Sequence, residues 1–197
     1  MSSTTTERPA VPRRERTRAR LIQACVEVIG EKGFQAATLD EIAGRAGLTK
    51  GAIYDNFRSK DDLFLAVVMG ASSNRLERFP WPTGRHGTVR ERLRRLGEAV
   101  LADAPAAQRE APLRAEFLLY SLTHEEVRSG VAAAAPQRLK AVEERLLELF
   151  APDELRLPLD KFVVLIEALI PGLMFLRAQA PEIATDETVI AAFEALA

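Results

Sequence analysis

The spacing of apolar residues along the chain predicts helices throughout. From Arg13 to Lys32, apolar residues recur three or four positions apart, which places them on one helix face: Leu21, Ile22, Cys25, Val28 and Ile29. Gly33 is positioned to end this helix. Proline, glycine or Ala/Pro-rich stretches separate further helices, predicted at about 88–103, 112–124, 125–150, 159–179 and 186–196. No segment alternates like a strand over a useful length, so we expect an all-α fold.

Short helices with clear start and stop signals are predicted between residues 38 and 64. Thr38 and Glu41 have the spacing of a capping box, and Gly47 is placed to close the helix that they open. Thr49 begins a second short helix, and Ser59 is expected to cap the next one, which runs to about residue 79. Three helices in about 45 residues, joined by a turn that contains glycine, are typical of a helix-turn-helix unit.

Charge is distributed unevenly between the two ends of the chain. Residues 1–60 contain 11 Lys and Arg against 7 Asp and Glu, whereas residues 61–197 contain 16 against 21. The N-terminal third is therefore the candidate nucleic-acid face. An alternative is that the arginines at the start of the first helix are exposed to solvent and have no binding role: Arg13, Arg14, Arg16, Arg18 and Arg20. Charge alone does not separate the two interpretations.

Several classes of function are disfavoured by the sequence. Cys25 is the single cysteine, and with only two histidines, His86 and His124, there is no metal-ligand cluster of recognisable spacing. His124 lies one helical turn from Ser121, but no third orienting group accompanies them, so we expect no catalytic residues, cofactor or metal. The opening segment has no apolar core of a secretion signal, and the apolar run 162–176 is too short to span a membrane. We expect a soluble cytoplasmic protein.

Residues 38–64, TLDEIAGRAGLTKGAIYDNFRSKDDLF, resemble the DNA-binding segment of TetR-family regulators. They match the pattern Thr-x-x-x-Ile-Ala-x-x-Ala-Gly-hydrophobic-Ser/Thr-x-Gly-x-hydrophobic-Tyr-x-x-Phe-x-x-Lys-x-x-Leu at nearly every position. The resemblance is strong over residues 14–68 and only architectural beyond. It implies an N-terminal three-helix DNA-binding domain and a C-terminal helical domain for ligand sensing and dimerisation. We expect a disordered tail at 1–12, the helix-turn-helix domain at 13–58 and the sensor domain at 59–197.

The recognition helix needs small or polar side chains in its first turn, because base edges lie deep in a major groove about 12 Å wide. Thr49, Lys50, Gly51 and Ala52 meet that need. Glycine costs roughly 1 kcal/mol in a helix relative to alanine, so a packing or DNA-approach reason is expected for it. Further along the chain, Tyr54 and Lys60 can reach phosphate oxygens, and the resemblance also implies phosphate contacts at these two positions. The candidate DNA contacts are Thr38, Arg45, Thr49, Lys50, Gly51, Ala52, Tyr54, Asn56 and Lys60.

The pair Asp55-Asn56 departs from the family pattern, which often has an aromatic or polar residue followed by His or Tyr. Asn56 can donate to a phosphate, but a phosphate would repel Asp55. The carboxylate then either accepts from a cytosine amino group or pairs with Arg58 or Arg45. We expect the intramolecular pair.

One stripe of apolar and aromatic residues lies within the predicted helix at 112–124. Such a stripe is more often core than pocket, but in a sensor domain the core is where a cavity is built. The candidate pocket residues are Met69, Leu113, Phe117, Tyr120, His124, Met174 and Phe175.

The segment 159–179 is apolar around nearly its whole circumference, so it must be covered on both sides, and a second subunit is the simplest second cover. Pro171 is expected to kink this helix. The segment 167–173 also resembles the closing-helix pattern of TetR proteins, which implies a four-helix dimer interface at 159–179 and 186–196. The candidate interface residues are Phe162, Ile166, Leu169, Gly172, Leu173 and Leu176.

The sequence therefore predicts a homodimeric transcriptional regulator that binds double-stranded DNA at a palindromic operator. We expect a repressor that is released when an unknown small molecule enters the C-terminal domain. One alternative is a DNA-binding adaptor whose C-terminal domain binds a protein partner. A helical enzyme with a chance motif is a second alternative, against which the missing acid-base groups count.

Overall fold

The computed structural model describes residues 12–197, so the tail predicted over residues 1–12 falls almost wholly outside the described residues. This range contains eight α-helices, a short 3-10 helix at Pro152–Glu154 and no strand, which confirms the all-α fold. None of these helices is long and apolar enough to cross a membrane. The helices are α1 Arg13–Ala36, α2 Leu39–Arg45, α3 Lys50–Tyr54, α4 Lys60–Arg78, α5 Val89–Thr123, α6 Glu125–Leu149, α7 Leu159–Gln179 and α8 Asp186–Glu194.

The chain forms two compact units, and the boundary between them lies inside α4, between Val68 and Met69. This is later along the chain than the boundary predicted after residue 58. The first half of α4 belongs to the N-terminal unit because its apolar residues are buried there. Phe64 is fully buried and packs edge-on against Phe34, with ring centroids 5.3 Å apart. The start of α4 is therefore part of the first core.

In the N-terminal unit, the helices begin and end at the local signals that the sequence contains. Gly33 has φ 82° and interrupts the helical backbone of α1, and Gly47 has φ 62° in the turn after α2. Thr38 and Glu41 form the complete capping box. Thr49 accepts a hydrogen bond from the backbone amide of Ala52, so that α3 begins where the sequence predicts. The fully buried side chains include Leu21, Cys25, Phe34, Ile42, Ile53, Leu63 and Phe64.

The C-terminal unit departs from the predicted helix boundaries at one place. The break predicted between residues 103 and 112 is wrong, because α5 runs unbroken through Pro105 and Pro112. Ala104 and Ala107 are buried in the core of this unit, so burial of this helix face outweighs the hydrogen bonds that the prolines remove. Helix α7 likewise continues through Pro171.

One charged side chain lies inside the C-terminal core. Arg92 is only 2% exposed and donates to both carboxylate oxygens of Glu154, at 2.9 and 2.6 Å, and to the carbonyl of Leu149 at 2.8 Å. The guanidinium also lies over the ring of Phe150. Hydrogen bonds from Arg92 and from the amide of Ala151 lower the pKa of Glu154 to about 2. This pair joins the start of α5 to the segment between α6 and α7.

Candidate nucleic-acid interface

The exposed side of α3 carries the residues predicted to meet DNA. Ile53 is fully buried, which directs this short helix inward on one side only. Thr49, Lys50 and Gly51 are exposed in its first turn, and Tyr54 is 55% exposed at its last residue. Ala52 is only half-buried. The fold thus leaves a small, polar first turn uncovered and anchors the opposite side in the core.

Gly51 is not required by packing within its own chain. A Cβ atom added there would meet only the side-chain oxygen of Thr49, at an ordinary contact distance of 3.6 Å. Its φ does not lie in the left-handed region, which for glycine residues in this structure is found only at Gly33, Gly47, Gly84 and Gly87. Packing therefore gives no reason for a glycine in this helix, and close approach of DNA stays a prediction.

Three predicted contact residues already have partners in the free protein. Lys50 donates to the carboxylate of Asp40 at 2.9 Å, and this interaction raises the pKa of the lysine. Lys60 lies 3.4 Å from the carbonyl of Gln35, and its ammonium group sits over the ring of Phe64. Thr38 caps α2. Because the Lys50 pair is solvent-exposed, it is weak and can be exchanged for a contact with DNA.

Arg45 and Asn56 are engaged more fully than the sequence predicts. Arg45 makes a bidentate pair with Glu31, with both distances 2.8 Å, and also approaches Glu27 at 3.5 Å. The amide nitrogen of Asn56 donates to the carbonyl of Ala52 at 2.8 Å, and its amide oxygen is buried without a hydrogen-bond partner in the described range. The amide of Asn56 is thus engaged within its own unit, and a phosphate contact by Asn56 stays a prediction.

The intramolecular pair expected for Asp55 is absent among residues 12–197. Arg45 pairs with other carboxylates. Arg58 is contacted through its backbone amide, which donates to the carboxylate of Asp62 at 2.9 Å. The carboxylate of Asp55 is thus left exposed at the end of the recognition helix. The second interpretation, that this carboxylate accepts a hydrogen bond from a cytosine amino group, stays a prediction.

Sequence reasoning missed a clamp formed by arginines of α1. Arg14 donates to the carbonyl of Asp55 at 3.4 Å, and Arg18 donates to the carbonyl of Asn56 at 2.9 Å. Arg20 reaches the carbonyl of Ala46 at 2.5 Å. These side chains satisfy carbonyls at the ends of α2 and α3, where a helix leaves its last acceptors unpaired. The four-residue spacing of Arg14 and Arg18, which places them on one face of α1, was the signal in the sequence that could have predicted this clamp.

The predicted pocket residues are not brought together. Met174 and Phe175 line a small space between α5 and α7, with Ala107, Ala111, Arg114 and Pro171. Its volume is about 10 Å³, enough for roughly one water molecule. The rings of Tyr120 and His124 stack on each other with centroids 3.6 Å apart, and neither residue lines this space. The remaining predicted residues do not line it either: Met69, Leu113 and Phe117. A larger cavity of about 200 Å³, which the sequence did not predict, is lined by Arg75, Arg78, Asp103, Ala106 and Glu110.

The predicted dimer residues fall into two groups. Phe162 and Ile166 are 2% and 1% exposed inside the core of their own chain, so they cannot supply surface to a partner, and they are corrected to core residues. Leu169 and Leu173 are half-buried. The uncovered part of α7 is a stripe at helical spacing, defined here as the α7 stripe: Val164, Ala168, Gly172 and Leu176.

The family model for bacterial regulatory proteins of the tetR family matches residues 21–67. This range holds α2, α3 and most of α1. The N-terminal unit belongs to the TetR family. The resemblance inferred from the motif is therefore confirmed for this unit.

Relatives with curated names share this TetR region and little more. The transcriptional activator FasR of Mycolicibacterium smegmatis is 48% identical over 58 residues, which are 29% of this chain and 26% of the relative. This chain spans about a quarter of the length of the curated relatives it matches first. Sequence similarity thus covers the DNA-binding unit and leaves the C-terminal unit to be compared by its fold.

Solved structures extend the likeness to both units of the TetR fold. The transcriptional regulator SCO7518 from Streptomyces coelicolor A3(2) has a TM-score of 0.72 at 19% identity, covering 92% of this chain and 98% of that one. FadR from Bacillus subtilis, solved in complex with stearoyl-CoA, has a TM-score of 0.59 at 19% identity, covering 91% and 98%. At this identity the comparison shows the fold alone.

Proposed function

We propose that this protein is a DNA-binding transcriptional regulator of the TetR type. The observation that carries the proposal is the exposed first turn of α3 within a unit that belongs to this family. Thr49 and Lys50 are the residues placed to read base edges, and Tyr54 and Lys60 are placed to hold phosphates. Asp55, whose carboxylate has no ion-pair partner in the described range, favours a cytosine at its position in the site.

The α7 stripe supports a homodimer and therefore a palindromic operator. Val164 and Leu176 are 52% and 41% exposed, and between them lie two small residues, Ala168 and Gly172. A Cβ atom at Gly172 would meet nothing of its own chain within 4 Å. Small residues flanked by apolar ones allow the matching helix of a second copy to approach closely. The two recognition helices of such a dimer read half-sites related by twofold symmetry.

Release of the operator by a small molecule is the regulatory part of the proposal, with the protein acting as a repressor. Helix α4 supports it, because this single helix contributes Leu63 and Phe64 to the N-terminal core and Arg75 to a cavity of the C-terminal unit. Displacement of its last turns by a ligand would be transmitted along the helix toward Lys60. Linkage requires DNA to weaken ligand binding by the same factor.

A protein-binding adaptor is the second candidate, and one observation favours it. Leu118, Leu119 and Leu122 at the end of α5 are 53–60% exposed and form an apolar patch on this helix. Exposed apolar patches of this kind mark interaction sites. A DNA affinity that no small molecule changes, together with loss of regulation on replacing these leucines by serine, would decide for the adaptor.

Selection of duplexes from a random library tests the DNA-binding proposal. The expected product is a palindrome whose half-sites lie about 34–36 Å apart, or a multiple of this distance. Lys60→Ala should weaken binding to all duplexes and reduce the salt slope by about one unit, whereas Lys50→Ala should change the selected sequence. Lys140→Ala, an exposed lysine of the second unit, is the control. A shift of specificity by Lys60→Ala alone would refute the docking assignment.

The dimer is tested by placing a charge in the α7 stripe. Gly172→Arg should give monomers in light scattering and lose affinity for the palindrome, because the new side chain occupies the space that the partner helix requires. Gly30→Arg is the matched control, since this helical glycine of α1 is also exposed with nothing within 4 Å of a Cβ atom. A dimeric Gly172→Arg variant would place the interface elsewhere.

A further inference from the structure

We propose that the space between α5 and α7 binds an apolar molecule with a single carboxylate, and that Arg114 is the counter-ion of that carboxylate. The inference rests on the ligand-sensing part of the proposed function and deepens it, because it names the class of ligand. It depends on three observations about this space: an arginine without a direct ion pair, an apolar lining and a small volume.

Arg114 is a half-buried guanidinium without a counter-ion. Within the part of the chain that the structure describes, it makes neither an ion pair nor a hydrogen bond. Burial lowers its pKa and the positive charge of Arg75 lowers it further, whereas the more distant charges of nearby carboxylates act in the opposite direction. An arginine stays protonated in proteins, so this charge is partly desolvated and has no direct ion pair. Such a charge is costly to the fold unless an anion arrives to pair with it.

The carboxylates around Arg114 are already used by other arginines. Arg75 donates to Asp103 at 2.5 Å and to Glu110 at 3.1 Å. Glu167, the third nearby carboxylate, pairs with Arg138 at 3.4 Å. Arg78 also approaches Glu110, at 3.9 Å, so four arginines share three carboxylates and the cluster carries one excess positive charge. A ligand that carries one negative charge would balance it, whereas a cationic ligand would add to the repulsion.

The remaining lining of this space is apolar. Ala107 and Ala111 contribute small side chains from α5, and Pro171, Met174 and Phe175 contribute larger ones from α7. One guanidinium at the edge of such a lining matches a molecule with an apolar body and a single acidic group. Bidentate pairing with a planar carboxylate is the geometry that arginine favours.

The small volume makes binding depend on a change of conformation. The space holds roughly one water molecule, so a ligand with several carbons can enter only when Met174 or Phe175 moves away from α5. The ligand therefore binds the open arrangement and not the closed one. This differential affinity is what a molecule needs in order to shift an equilibrium between two states.

Calorimetric titration of the purified full-length protein with three matched probes tests the assignment. Octanoate, octan-1-ol and octylammonium have the same apolar chain and differ in the charge of the head group. Octanoate is expected to bind at least about tenfold more tightly than either of the others. Arg114→Met should weaken octanoate by at least about tenfold and leave octan-1-ol unchanged. Arg109→Met, an exposed arginine of the same helix, is the control that should change neither.

A thermal melt separates a binding role from a structural one. Arg114 has no partner to lose, so the melting temperature of Arg114→Met should equal or exceed that of the wild type, whereas Arg75→Met should lower it by removing two ion pairs. The proposal is overturned if octanoate produces no heat, if octan-1-ol binds equally well, or if Arg114→Met retains full octanoate affinity.

The two proposals fail in different ways. Octanoate that binds through Arg114 without changing the affinity for the selected duplex supports this site and refutes operator release. Octanoate that weakens duplex binding in the wild type but not in Arg114→Met supports both. Duplex binding that responds to octanoate equally in the two proteins supports release and overturns the role of Arg114.

Discussion

The two units differ in the range of the interactions that hold them together. In the N-terminal unit, α2 and α3 begin with side-chain caps, and partners three residues apart, such as Thr38 and Glu41, define the start of α2. In the C-terminal unit, α5 and α8 also begin with side-chain caps, but α6 and α7 begin without one and contain internal prolines. What joins its elements is distant in sequence, as in the pair of Arg92 and Glu154, 62 positions apart.

This contrast explains why the units are recognised so differently from sequence. A motif made of caps, turns and short-range packing keeps its spacing, and the family match coincides with that region at residues 21–67. Long-range packing tolerates many combinations of apolar residues, so the C-terminal unit keeps its fold at 17–22% identity to solved structures. Predictions that separate local from long-range contributions test the contrast.

The largest expected effect comes from breaking the buried pair of the C-terminal unit. Arg92→Ala should lower the free energy of unfolding by roughly 2–4 kcal/mol, because its hydrogen bonds to Leu149 and Glu154 and its packed stem are lost. Urea denaturation followed by circular dichroism measures this. Arg94→Ala, which removes an exposed arginine of the same helix, should have a small effect. Equal effects of the two variants would contradict the role given to the buried pair.

Acid should weaken the same contact. The pKa of Glu154 is lowered to about 2 from 4.5, so its ionised form is favoured by folding. The stability that it contributes is complete above the unfolded value of 4.5 and is lost as the pH falls toward 2. Melts between pH 7 and pH 2.5 should show this loss in the wild type and a shallower decline in Glu154→Gln. Parallel pH profiles of the two proteins would exclude this pair as a source of acid sensitivity.

Capping boxes occur in both units, so they compare the same local device in two settings. Thr38→Ala and Thr88→Ala each remove the side-chain acceptor of a box, and each should cost about 1 kcal/mol. Only Thr38→Ala should also weaken binding to the selected duplex, because it loosens the helix that precedes the recognition helix. A comparable loss of DNA affinity in Thr88→Ala would show that the contrast between the units is too simple.

The smallest expected effect on stability is a gain, whereas the preceding variants lose stability. Gly51→Ala should stabilise the free protein by up to about 1 kcal/mol, because the added Cβ atom meets only an ordinary contact and alanine favours a helix. The same variant should bind the duplex less tightly, since the methyl group holds the helix away from the base edges. Gly44→Ala, in an exposed turn of α2 with nothing nearby, should stabilise without changing DNA affinity. A Gly51→Ala variant with undiminished DNA affinity would show that close approach of DNA is not the reason for this glycine.

The amino-acid sequence by itself determined the helices and turns of the N-terminal unit. The caps at Thr38 and Thr49, the turn at Gly47 and the inward Ile53 follow from residues a few positions apart, so the exposed first turn of α3 could be predicted. Helices α4, α6 and α7 were also predicted closely, because a proline lies two or three residues beyond the end of each.

Only the tertiary structure decided which of several local possibilities was realised. Whether Asp55 pairs with an arginine depended on which carboxylates lie nearest to Arg45, and Glu31 of α1 takes that position. On an apolar helix such as α7, the neighbouring helices choose the buried side, and they cover Phe162 while leaving Val164 exposed. The excess charge of Arg114 likewise depends on the pairing of residues far apart in the chain. Helical periodicity reports what a residue can contact, whereas the contact made depends on which other helix is packed there.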